Sequence, residues 1–239
     1  GLSSQEQNAI GFPWSERMVE RSKRSVGATI AACQSALIDG VAVNLAGGTH
    51  HAYRDHGGGF CVFNDAAVAA RMLQKTQGSD FRVAIVDLDV HQGNGTAAIL
   101  KNDERIFTLS LHGENNFPFQ KEESNLDVAL PDGCGDAMYL DALSESLHRV
   151  KAHFDPQFII YLAGADPHEH DRLGKLSLTQ EGMQARDQQV YNWAAANTLP
   201  VAIAMAGGYG KDINLTVDIH AQTILSALCL DQSPNHKAR

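Results

Sequence analysis

The sequence predicts an α/β domain, a mostly parallel sheet covered by helices on both faces. Two observations carry that prediction. Runs such as VAIVDL from Val83, FIIYLA from Phe158 and VAIAMA from Val201 are apolar at nearly every position, the pattern of strands buried on both faces. Helical stretches separate these runs, giving the alternation that a parallel sheet with crossover helices requires. The chain has 239 residues, 44% of them hydrophobic, and 21 glycines. That is enough for one large domain over residues 1–239 with a substantial core.

The elements follow in order. Trp14 to Ile38 reads as a helix with Met18, Val26, Ile30, Cys33 and Leu37 on one face, stopped by Gly40. VAVNL (Val41 to Leu45) reads as a strand, followed by a glycine-rich loop and a helix around Asp65 to Gln74. The run from Val83 continues into polar residues, VAIVDLDVHQGNG, with Asp87, Asp89 and His91 at alternate positions. A strand period of two would set all three on one face. A short helix near Thr96 to Lys101 and a strand IFTLSL from Ile106 come next, then a loop rich in Asn and Phe to about Asn125. Leu140, Leu143, Leu147, Val150 and Phe154 mark an amphipathic helix by their 3,4,3,4 spacing. The strand from Phe158, a polar loop, a helix from about Thr179 to Asn197, the strand from Val201 and a last helix to about Leu230 complete the domain. Residues 231–239 read as a frayed tail.

Composition narrows the function. A formal charge of −9, a pI near 5.6 and no basic cluster beyond RSKR at Arg21 to Arg24 argue against a nucleic-acid partner. There is no signal peptide and no apolar run long enough to span a bilayer, so no membrane partner is expected. Cys33, Cys61, Cys134 and Cys229 show neither CxxC spacing nor secretory density. They read as reduced thiols of a cytoplasmic protein.

In parallel sheets, ligands bind beyond the carboxyl ends of the strands, and this sequence places its unusual residues there. VAVNLAGGTHH ends in His50 and His51, VAIVDLDVH in Asp87, Asp89 and His91, IFTLSLH in Ser110 and His112, FIIYLAGAD in Asp166, and VAIAMAGGYG in Tyr209. Five strands point at one pocket. His148, His153, His220 and His236 lack such company and read as ordinary surface or core residues. Asp89, His91 and Asp166 offer two oxygens and one nitrogen. That set suits a divalent metal with an open position, zinc most simply, with iron(II) also compatible. A metal so held polarises a carbonyl and lowers the pKa of its water, which indicates hydrolysis. Two adjacent histidines supply proton transfer, and a tyrosine hydroxyl between glycines can donate to an oxyanion.

GGTHHAYRDHGGGFCVFND, VDLDVHQGNGT, AGADPHEHDRLG and AGGYG resemble, in order, the successive motifs of the histone deacetylase family, and the resemblance covers Ile10 to Ala221. NLAGGTHH and HQGNGT are most similar to bacterial members near the class IV branch. The resemblance implies an arginase-like three-layer α/β/α fold with its active site at the strand C-terminal ends. It implies hydrolysis of acyl-amide bonds, acetyl or longer, on lysine side chains of proteins or peptides, or alternatively on acetylated polyamines and other small acylated amines. Zinc would sit on Asp89, His91 and Asp166, with His51 as general base and later general acid. His50 would be an electrostatic partner held by Asp87, and Tyr209 the oxyanion donor. Phe60 and Phe117 would wall the acyl-lysine tunnel, the Gly59 carbonyl accepting the substrate amide N–H. The backbone oxygens of Asp87, Asp89 and His91, with Ser110 and Leu111, would form the family's monovalent-cation site, usually potassium. Asn94 stands where many members carry an aspartate paired with the second histidine, so His51 is expected to rest neutral near pH 7.

Departures from the family pattern set further expectations. The family has a segment before the position of Gly1, with an early strand and rim loops. Its absence here is expected to bare a sheet edge and favour homo-oligomers along it. A metal-retaining binding scaffold without turnover is the alternative from another class. Gly93 stands where an arginase-like second-metal aspartate would be expected, and His168, Glu169, His170 and Asp171 read as a polar rim.

Overall fold

The apolar runs become strands buried on both faces: every residue of β2 (Val83–Asp87) and β5 (Phe158–Leu162) is shielded from solvent. In a computed structural model that describes residues 2–231, they share one sheet with β1 (Val41–Asn44), β3 (Ile106–Gly113), β4 (Leu126–Leu130) and β6 (Val201–Ala204). The order is β1-β6-β5-β2-β3-β4, with every pairing parallel.

The helices form where the sequence can satisfy their first turns. Helix α2 (Glu16–Asp39) begins at Ser15, whose hydroxyl accepts from Met18 N at 3.1 Å, and stops at Gly40 with φ 86°. Asn64 caps α3 (Asp65–Gln77) and Thr179 caps α6 (Gln180–Ala196) in the same way. Helices α4 (Asn94–Leu100), α5 (Asp136–His153) and α7 (Ile213–Asp231) complete the covering.

Strand alternation divides the core in two. Val86, Ile159, Tyr161 and Ile203 pack with Leu143 and Leu147 of α5, Val190 of α6 and Ile219 of α7. Ile85, Phe158, Ile160 and Ala202 pack with Cys33 of α2, Leu73 of α3 and Leu100 of α4. The result is the expected three-layer α/β/α arrangement.

This topology positions the site. From β2 the chain leaves toward α4 on one face, and from the neighbouring β5 toward α6 on the other. Adjacent loops diverging to opposite faces open a crevice at the carboxyl edge, where ligands of such sheets bind.

The structure departs from the sequence reading in three places. Helix α1 (Ser4–Ile10) and edge strand β4 lie where no element was expected. Strand β2 ends at Asp87, so Asp89 and His91 lie in the loop beyond it and no strand period aligns them. The four cysteines are free thiols. No helix among the described residues is long and apolar enough to cross a membrane. Helix α7 extends to Asp231, and the rest of the predicted tail, with His236, lies outside the described residues.

Candidate active site

Two neighbouring strand ends build the centre of the site. Asp89 and His91 follow β2, Asp166 follows β5, and their ligand atoms lie within 4.8 Å of one another with all three residues buried. His91 Nδ1 stands 2.9 Å from Asp89 Oδ1 and 3.3 Å from Asp166 Oδ2. Backbone amides fix the carboxylates from outside: Gly207 N donates to Asp89 Oδ2 at 2.7 Å and Val90 N to Asp166 Oδ1 at 2.9 Å. The second Asp166 oxygen is buried and makes no hydrogen bond.

A cation fits these residues. Burial and the neighbouring Asp89 charge push the Asp166 carboxyl up to about 7, since two carboxylates crowded in low dielectric resist ionising together. A Cβ at Gly207 would run into both carboxylates, so the wall stays open for an ion only with glycine there. Two oxygens, one of them buried and without a hydrogen bond, and one nitrogen match a divalent metal with open coordination positions. Among the described residues this trio alone converges in that way.

The histidine pair is held above it. Asp65 is buried and accepts from Gly48 N, Thr49 N and Thr29 Oγ1 at 2.9, 2.8 and 2.6 Å. Asn64 Nδ2 donates to the carbonyls of His50 and Ala52. The loop between β1 and the pair is thereby tied to the start of α3. His50 Nδ1 lies 2.6 Å from Asp87 Oδ2, His51 Nδ1 lies 2.7 Å from Asn94 Oδ1, and the two Nε2 atoms are 3.1 Å apart.

The network fixes the protons. Asn94 Nδ2 donates to Tyr53 Oη, leaving its oxygen to accept, so His51 carries its proton on Nδ1 and leaves Nε2 unprotonated, facing His50 Nε2. Burial lowers the affinity of His50 for a proton, but the Asp87 and Asp89 carboxylates outweigh it and raise the ring to about 9. For His51, burial and then the His50 charge push the ring well below its ordinary value. One histidine is held charged and the other neutral.

An apolar channel of about 470 Å³ leads to this floor, walled by Ile10, Phe60, Phe117, Phe119 and Leu173. The Phe117 ring meets His51 edge-on at 4.9 Å, and Phe60 lies 6.0 Å from Tyr209. Gly59 and Phe60 both adopt left-handed backbone, φ 51° and 65°, a cost that phenylalanine bears only where surroundings enforce it. A Cβ at Gly59 would lie 2.6 Å from the His51 ring, so that position must be glycine.

Tyr209 stands edge-on to His91, the ring centres 6.4 Å apart. Burial, then the Asp89 charge, holds its phenol well above the ordinary range, so the hydroxyl keeps its proton. Its backbone is clamped: Tyr209 N donates to Asp171 Oδ2 at 2.5 Å, and its carbonyl accepts from Arg172 Nε at 2.9 Å.

The structure thus brings together ten predicted residues, Asp87, Asp89, His91, Asp166, His50, His51, Asn94, Phe60, Phe117 and Tyr209, with Gly59 between His51 and Phe60. Ser110 pairs with Asp87 across the sheet, as Leu111 follows it, but His112 turns to Ser110 Oγ at 3.0 Å. The polar rim reading of the 168–171 loop holds in part. Glu169 and His170 are exposed, but His168, which accepts from His170 N, is buried, as is Asp171, which braces Tyr209, Leu173 and Gly174. Sequence reasoning missed Ile10, Asn64, Asp65 and the bracing by Asp171. Only the last two residues of GGGFCVFND, an Asn-Asp pair ahead of a helix, carried a capping signal that could have revealed Asn64.

Comparison with known proteins agrees with this geometry. A family model described as the histone deacetylase domain matches residues 3–224. An uncharacterized protein of Picosynechococcus sp. is 46% identical over 220 residues, 92% of this chain and 73% of that one. Histone deacetylase 2 of Arabidopsis thaliana is 34% identical over 192 residues, covering 79% and 49% of the two chains. Among solved structures, an HDAC homolog complexed with SAHA superposes with a TM-score of 0.76 at 29% identity, over 90% of this chain and 59% of that one. The chain therefore spans between about half and three quarters of the length of these relatives. With its ordered motifs, three-layer fold and buried Asp-His-Asp trio at the strand ends, the chain belongs to the histone deacetylase family.

Proposed function

We propose that this protein is a zinc-dependent deacylase that removes acetyl or longer acyl groups from lysine side chains of peptides or proteins. The observation that carries this reading is the buried trio Asp89, His91 and Asp166 at the foot of an aromatic-walled channel. Zinc held there supplies a Lewis acid and lowers the pKa of water, iron(II) being the other ion this donor set accommodates.

The chain's own groups do the rest. Phe60 and Phe117 flank the alkyl stem of the acylated side chain, and the Gly59 carbonyl accepts its amide N–H. His51 Nε2 takes the proton of the attacking water and returns it to the leaving amine. His50, kept cationic by Asp87, steadies the negative charge that builds up beside it, and the Tyr209 hydroxyl donates to the oxyanion. The strand ends at Asp87 and Ser110, side by side in register, are where the carbonyls of a potassium site would gather.

The channel favours acyl-lysine over acetylated polyamines. Its walls carry no carboxylate among the described residues, and Lys175 stands at its rim. A polycationic amine finds no counter-charge there, whereas a neutral alkyl stem finds apolar surface. Hydrolysis of a fluorogenic acyl-lysine series, acetyl through long-chain, after chelation and again after zinc is restored, tests the proposal. Turnover that vanishes and returns with zinc, and exceeds that on acetylpolyamine, is the expected result; chelator-resistant turnover would overturn it.

The neutral partner of His51 yields a pH prediction. A carboxylate in place of Asn94 would stand about 3 Å from Nδ1, favour the imidazolium and raise the pKa of the ring. A general base works only when deprotonated, so a higher pKa moves the acidic limb upward. Asn94→Asp is expected to keep zinc while shifting the acidic limb of kcat/KM to higher pH, by about one unit or more for a buried charge pair. Superimposable limbs at matched zinc occupancy would leave Asn94 a purely structural residue.

A further inference from the structure

Directly behind the trio, the backbone ladder between β2 and β5 runs out. Its last rung is Leu88 N donating to Leu162 O at 3.1 Å, and past it the two chains separate to deliver Asp89 and Asp166. Besides the bond from Val90 N to Asp166 Oδ1, a side chain from outside both strands spans the gap. Arg186, on α6, is wholly buried, and its Nη1 donates to the Gly164 carbonyl at 2.5 Å and, more weakly, to the Leu88 carbonyl at 3.4 Å. A Cβ on Gly164 would lie 2.7 Å from Asp166 Oδ1 and 2.8 Å from Asp89 Oδ2. The carbonyl that Arg186 holds therefore belongs to the residue pressed against both carboxylates.

The guanidinium is itself anchored. Nε donates to Asp187 Oδ1 at 2.9 Å, Nη2 stands 2.8 Å from the same oxygen, and Asp187 accepts from Tyr161 Oη at 2.5 Å and Thr223 Oγ1 at 2.6 Å. Strand β5, α6 and α7 thus converge on one buried ion pair. A core that needed only to be filled would take leucine or methionine at this position, because burying a permanent charge costs desolvation that apolar packing avoids.

We propose that Arg186 is a positioning residue for the metal site, standing in for the missing backbone rung and setting the separation of the Asp89 and Asp166 carboxylates. Arg186 is wholly buried and is not among the residues that line the channel, so its action on the site is indirect. Its rigid fork matters as well as its charge: one end grips two carbonyls while the other grips a carboxylate, which a lysine ammonium cannot do. The inference rests on reading the trio as the zinc site.

The test is zinc affinity, measured by competition with a chromophoric chelator on the full chain, with thermal melting alongside. The variants are Arg186→Lys and the double replacement Arg186→Met with Asp187→Leu, which removes both charges and keeps the core filled. Both are expected to bind zinc about 10- to 100-fold more weakly, the range for losing a residue that orients metal ligands. A residue that serves only the core would change the melting temperature and leave the affinity alone. A folded variant that binds zinc as tightly as the parent overturns the proposal. Failure of both variants to fold also counts against it, since the pair would then serve the core. A parent that takes up no zinc defeats the metal reading itself, a result distinct from equal affinities.

Discussion

Asp166→Ala is expected to take up no zinc where the parent does, and to lose activity by about 10³-fold or more, corresponding to the several kcal/mol that Lewis-acid stabilisation supplies. The substitution removes the one trio oxygen that is buried without any hydrogen bond, leaving a single carboxylate and an imidazole. Metal analysis of the purified variant decides this, and full occupancy would remove Asp166 from the ligand set. The same variant should stay folded. In the metal-free protein the Asp166 carboxyl is raised from 3.8 to about 7 by burial and by Asp89, so between those values the folded state holds more protons than the unfolded state. Stability then falls as pH rises through that window, and the cost is fully present above about pH 7. Alanine abolishes it, at the loss of the hydrogen bond from Val90 N. The pairing of His91 with Asp166 is lost as well, so the pH trend is the diagnostic: in chelator the parent's melting temperature should fall relative to the variant's as pH rises from 4 to 8. Melting far below the parent would mean that the carboxylate serves the fold.

The sheet and most of the site were legible for one reason: they depend on short-range pattern. VAIVDL and FIIYLA are apolar because both faces of the strand are covered, and polar residues following such a run mark a strand end. The misreading of Asp89 and His91 as strand residues comes from the same logic carried four residues too far, past the end of β2 at Asp87. Their convergence comes from the turn after Asp87 and from the Gly207 amide, a contact 118 positions away in sequence. Strand β4 escaped notice because it is an edge strand with three of its five residues partly or fully exposed, so LDVAL resembles its polar surroundings. Helix α1 is polar and buries only Ile10. Arg186 and Asp187 are the sharpest case. A charged pair within a helix reads as its wet face, and nothing local reveals that α6 turns this pair into the core beneath the strand ends. Asp171 is similar, an acid in a polar loop that becomes the brace of Tyr209 only when two strand-end loops meet.

Tyr209→Phe should keep the fold and the zinc yet lower kcat by about 10²-fold or more, the range for removing one oxyanion donor. Three features of the structure make this a test of the hydroxyl alone. The ring packs 6.0 Å from Phe60 and edge-on to His91, contacts that phenylalanine retains. The backbone clamp from Asp171 and Arg172 involves only main-chain atoms of Tyr209, so the glycine-flanked loop should hold its course. Burial and the Asp89 charge keep the phenol protonated, so a proton donor is lost and no negative charge is removed. If the hydrogen bond strengthens as charge develops on the carbonyl oxygen, the loss falls on kcat and on kcat/KM alike, with KM little changed. A raised KM at normal kcat would instead make Tyr209 a ground-state binding residue. Near-normal values of both would mean that the ring only lines the channel, and the oxyanion donor would have to be sought among the backbone amides of the Gly207–Gly210 loop.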